Sequence, residues 1–119
     1  MSNKHNLNRG IASLGTWKQR LKVAIDTKQS DCTPAIVQQD NQCRFGKWLH
    51  SCSNEEKSSP HYHTVKSLHA QFHKEAASIL ELALSGNNER ANEAMSLGSD
   101  YKKTASSLSQ EMMEWKQNC

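Results

Sequence analysis

Apolar residues recur every three or four positions through three long stretches of this chain, a spacing that allows little besides amphipathic helices packed on one another. In the first stretch Leu7, Ile11, Leu14, Trp17, Leu21, Ala24 and Ile25 share one face, which predicts a helix from about Leu7 to Thr27. Gly15 inside it costs about 1 kcal/mol relative to Ala and predicts close approach by another element. The second stretch opens at Ser59-Pro60, with Ser as N-cap and Pro at the first helical position. Tyr62, Val65, Leu68, Phe72, Ala76, Ile79 and Ala83 form its stripe, Gly86 ends it, and Asn87 or Asn88 caps the next helix. The third, from about Glu89 to Lys116, carries Ala91, Ala94, Gly98, Tyr101, Ala105, Leu108, Met112 and Trp115 as a heptad stripe whose first half is made of small residues.

Between these stretches the pattern breaks. Pro34 and scattered polar residues make Lys28 to Gln42 a surface connection, with Ile36 and Val37 tucked onto the bundle. Cys43 to Leu49 suits one or two helical turns that bury Phe45, Trp48 and Leu49, and a polar loop from Ser51 to Ser59 follows. The expected fold is all-α: an antiparallel four-helix bundle of three long helices and one short, a single domain over residues 1–119. With 119 residues and 35% hydrophobic content the core is thin, so a metal, a partner chain or both should support it. The regular last stripe points to a homodimer. Trp17, Trp48 and Trp115 read as core or interface anchors.

The net charge of +3 is spread along solvated helix faces and no basic run is interleaved with aromatics, which argues against nucleic acid as a partner. No segment reaches the roughly 18 consecutive apolar residues that span a bilayer, and Met1 to Arg9 lacks the apolar core of a secretory signal. The expected compartment is the cytoplasm, where thiols stay reduced. Cys32, Cys52 and Cys119 are then incidental thiols, and His61 and His63 solvent-facing residues of a helix start. No signalling coiled coil or cyclase segment follows Trp115, so the expectation is a free-standing protein or a fragment.

His69 and His73 stand four apart in the second stretch, so both imidazoles project from one face and can converge on one ion. Cys43, at the start of the short aromatic element, is either a small buried hydrophobe or a thiolate ligand. One thiolate with two imidazoles is a nitrogen-and-sulfur set suited to Zn2+, which takes four ligands in structural sites.

Cys43-Arg44-Phe45-Gly46-Lys47-Trp48-Leu49, then Pro60, then His69-Ala70-Gln71-Phe72-His73 resembles the chemoreceptor zinc-binding (CZB) domain family, and Trp17-Lys18 followed by Arg20-Leu21 is similar to that family's other motif. The resemblance covers nearly the whole chain. It implies a four-helix bundle, usually homodimeric, that holds zinc through one Cys and three His. It also implies a regulatory role beside bacterial chemoreceptors and diguanylate cyclases, answering zinc or oxidants such as hypochlorous acid through the zinc-bound thiolate. In the family's pattern the third His stands three residues before the first-helix Trp, and here that position is Leu14, which cannot bind a metal. His5 lies about 13 Å back along a helix and His50 roughly 10 Å beyond Cys43, so neither substitutes.

Three readings of the departure stay open. Water or another group completes a Cys43–His69–His73 zinc site; or His61, His63 or Cys52 swings in; or the chain is a metal-free dimerisation module that keeps only the fold. In the first reading Cys43 is also the redox-sensing residue, since a sulfenic acid there weakens its bond to the metal. An enzyme is not expected: no motif places a general base, and Glu75, two residues beyond His73, points to another helix face.

Overall fold

The computed structural model describes residues 3–41 and 43–118. Seven helices occur among them and no strand: α1 (Asn3–Thr27), α2 (Pro34–Val37), α3 (Arg44–His50), α4 (Asn54–Lys57), α5 (Pro60–Leu84), α6 (Asn88–Ala94) and α7 (Asp100–Gln117). The expected all-helical bundle is the fold. Helix α5 packs along both α7 and α1, which also meet each other, and α2 and α3 sit against this frame. Leu7, Leu21, Val65, Phe72, Leu80, Leu108 and Met112 close the core between the three long helices.

Local chemistry explains each boundary. Ser59 accepts from the His61 N–H at the start of α5, with Pro60 at the first helical position. At its end the Asn87 N–H reaches the Leu82 carbonyl (2.9 Å) and the Gly86 N–H that of Ala83 (3.2 Å), while Gly86 takes φ +83°. Asn87 is the N-cap of α6, but its side chain donates to Ser85 Oγ (2.9 Å) and makes no cap bond.

Several details differ from the sequence expectation. The last stretch is two helices, because Gly98 takes φ +84° and Ser99 starts α7 by accepting the Lys102 N–H (3.3 Å) with Asp100 in the first turn. The polar loop contains α4, held by a capping box in which the Ser53 N–H reaches Glu56 (2.8 Å) and the Glu56 N–H reaches Ser53 (3.2 Å). In α2, Val37 is buried but Ile36 is exposed.

Gly15 is exposed and a Cβ there would touch nothing, so the close approach predicted for it is absent. It falls at Gly10 instead, where a Cβ would lie 2.6 Å from the Phe45 ring. Gly10 therefore seats α3 on α1.

Helix α3 has only seven residues and is too short to be stable alone, so Phe45 and the fully buried Leu49 must anchor it. Leu49→Ala should lower stability by about 2–5 kcal/mol, the usual range for a buried Leu truncation, measured by urea denaturation.

Candidate metal centre

Cys43 is the N-cap of α3, and its sulfur accepts the Gly46 N–H (3.3 Å). This is the place a Ser or Asp oxygen normally fills. Capping aims the sulfur across the gap toward α5. There Sγ lies 3.5 Å from His69 Nε2 and 3.5 Å from His73 Nε2, and the two ring nitrogens are 3.1 Å apart. Gly46 is required for this approach. A Cβ on it would collide with the Asp40 carbonyl oxygen and come within 3.2 Å of the His69 ring.

Both imidazoles are buried and Cys43 is half-buried. His73 Nδ1–H donates to the Val37 carbonyl (2.8 Å), which fixes the tautomer and leaves Nε2 with a free lone pair. Phe45 meets the His69 ring edge-on at 5.2 Å between centroids, and Trp17 does the same to His73 at 5.9 Å. His69 Nδ1 is buried without a hydrogen-bond partner among the described residues.

The donor set fits a zinc ion. Bonds of about 2.3 Å to sulfur and 2.0–2.1 Å to nitrogen at tetrahedral angles put S and N about 3.6 Å apart and the two nitrogens about 3.3 Å apart. The observed 3.5, 3.5 and 3.1 Å are close to those spacings. The protonation states agree. Burial, and secondarily His73, lowers the His69 imidazole to about 3, and burial lowers His73 as well, so both rings are neutral ligands. Burial raises the Cys43 thiol, although the Gly46 N–H partly opposes it. Three lone-pair atoms this close repel one another unless they share a proton or a cation.

The other sequence candidates lie elsewhere. Leu14 is half-buried and lines a cleft with Tyr101 and Ala105 of α7, whereas Ala12, Ser13 and Thr16 of α1 line the cavity beside Cys43. His61 is half-buried with Nδ1 3.0 Å from Glu111 Oε1, which corrects the solvent-facing expectation. His63 is exposed beside the Tyr62 ring. His50 pairs with Asp40 at 3.4 Å. Buried Cys52 turns its thiol to the Trp48 carbonyl (3.5 Å). Cys119 lies outside the described residues. Glu75 lines a cleft with Ile79 and Tyr101. The sequence reading gave no role to Gly46 or to the Val37 carbonyl. The glycine three residues after Cys43 was a visible signal, whereas a backbone carbonyl leaves none.

Burial of neutral imidazoles gives a pH dependence. Unfolded rings take up protons below their ordinary value of 6.5, while folded His69 does so only near 3. The unfolded state then binds more protons, so stability of the metal-free protein falls as pH drops below about 6.5. Denaturation midpoints from about pH 7 to about pH 5 should show that decline, and His69→Phe should make it shallower.

A model of the chemoreceptor zinc-binding domain family matches residues 16–80, which include Trp17, Cys43, Gly46, His69 and His73. No curated protein and no solved structure is a match to this chain. With more than half of its 119 residues matched, the chain belongs to the chemoreceptor zinc-binding domain family.

Proposed function

We propose that Cys43, His69 and His73 bind Zn2+, with water or another group at the fourth position, and that residues 1–119 form one regulatory domain. It works as a homodimer in the cytoplasm, where thiols stay reduced, and relays the state of the site to a chemoreceptor or diguanylate cyclase signalling component. The observation that carries this is the convergence of one sulfur and two ring nitrogens within 3.5 Å of one another. The family match supports a regulatory role rather than a catalytic one.

When bound, the ion supplies a cross-link between α3 and α5. The protein's own groups prepare for it. The Val37 carbonyl orients His73, the Gly46 N–H holds the sulfur, and burial keeps both rings unprotonated. Cys43 must lose its proton to bind, so zinc, acid and oxidant all act at one sulfur; a sulfenic acid there is a poor ligand. Loss of that ligand frees α3, whose other anchors are Phe45 and Leu49. Exposed Val23 and Met113 offer apolar surface to a second copy, and light scattering on the purified chain reads the dimer directly.

Zinc titration tests the site. Cys43→Ala should weaken binding by more than about 100-fold, beyond the 10–100-fold that loss of a supporting group costs, with the three long helices intact by circular dichroism. Unchanged affinity removes the reading, and a metal-free wild type after purification in zinc-containing medium would favour a bare dimerisation module. Gly46→Ala should cost about 10–100-fold, because it moves the cap without removing a ligand. Calorimetry in buffers of different ionisation enthalpy should show about one proton released per zinc near neutral pH, from Cys43, since the imidazoles are already neutral.

A further inference from the structure

Cys32 was read from sequence as an incidental thiol, but its position gives it a partner. It lies in the connection between α1 and α2, and it lines a cavity of about 140 Å³ together with Cys43, His73, Trp17 and Arg20. The two cysteines thus border one small space beside the candidate metal centre. Both cysteines are half-buried and lie outside the helices, and the Arg20 guanidinium donates to the Cys32 sulfur at 3.5 Å. Arg20 is itself held over the Trp17 ring, 4.8 Å from its centroid.

The connection can bring the sulfurs together. Residues 28–33 contain no helix, and Lys28 enters them with φ +60°, a left-handed conformation unusual for a residue with a side chain. Closing a disulfide requires Cβ atoms about 4 Å apart, and a non-helical segment can adjust to that spacing without breaking a helix.

We propose that Cys32 and Cys43 form a reversible disulfide in response to hydroperoxides, and that this withdraws the Cys43 thiolate from metal binding. The inference rests on the reading of Cys43 as a zinc ligand and adds a second route by which an oxidant empties the site. In the first step the Cys32 thiolate attacks the O–O bond of hydrogen peroxide. An S–O bond forms, the O–O bond breaks and hydroxide leaves, giving a sulfenic acid. In the second step the Cys43 sulfur attacks the Cys32 sulfur. The S–S bond forms as the S–O bond breaks, and the departing hydroxide takes a proton to become water. The two sulfurs supply the two electrons that reduce one peroxide to two waters, and a dithiol reductant restores both thiols.

The test uses the full chain, with and without added zinc, and one equivalent of hydrogen peroxide. Zinc is measured before oxidation, then free thiols are counted and peptides mapped by mass spectrometry with dimedone present to trap sulfenic acids. The expected result is loss of about two thiols per chain, a Cys32–Cys43 cross-linked peptide in both preparations, and zinc release that Cys32→Ser slows about tenfold. Cys43 recovered as a dimedone adduct with Cys32 free, or Cys32 oxidised without a cross-link, overturns the proposal and leaves the zinc reading intact. Absence of zinc before oxidation overturns the zinc reading, while the cross-link is still read in the metal-free preparation.

Discussion

The sulfur of Cys43 is a helix cap before it is anything else, and the site depends on that. A short helix such as α3 has no stability of its own, so its first turn needs an acceptor for the Gly46 N–H. Cys43 fills this role with an atom that also reaches two imidazoles on α5. The glycine at the third helical position completes the arrangement, because any Cβ there would strike the Asp40 carbonyl. Cap, glycine and candidate ligand are therefore one device, and the direction of α3 is tied to the geometry of the candidate metal centre.

Burial then sets the chemistry. An imidazole in water is half protonated near pH 6.5, but inside the bundle burial lowers both rings, His69 to about 3. Burial also works against ionising the Cys43 thiol, so the candidate centre holds three neutral groups within hydrogen-bond reach of one another. The same three donors in an exposed loop would be protonated at mild acidity and would turn freely to solvent. Here the Val37 carbonyl and the Phe45 and Trp17 rings hold the imidazoles in place.

Much of this was legible before any coordinates. The three-and-four spacing of Leu7 to Ile25, of Tyr62 to Ala83 and of Tyr101 to Trp115 determined an all-helical bundle, since only that periodicity buries those residues together. Local signals also marked ends correctly at Ser59-Pro60 and Gly86. Two were underweighted. Gly98-Ser99 is a stop followed by a start, and reading Gly98 as one more small residue of a stripe fused two helices. Ser53 to Glu56 is a capping box, read as loop because its four-residue helix carries no apolar stripe.

The sequence by itself determined the helical class, the pairing of His69 with His73 on one face, and Cys43 as the thiol worth weighing, because these follow from residue type and spacing along a local backbone. Tertiary structure alone decided that Cys43 meets those rings 26 and 30 residues away, that Gly10 rather than Gly15 seats a neighbour, and that Cys32 shares a cavity with Cys43. The reason is physical: helical periodicity fixes which way a side chain leaves its own helix. Where helices and connections cross is fixed by packing between residues far apart in sequence, and no local pattern records it.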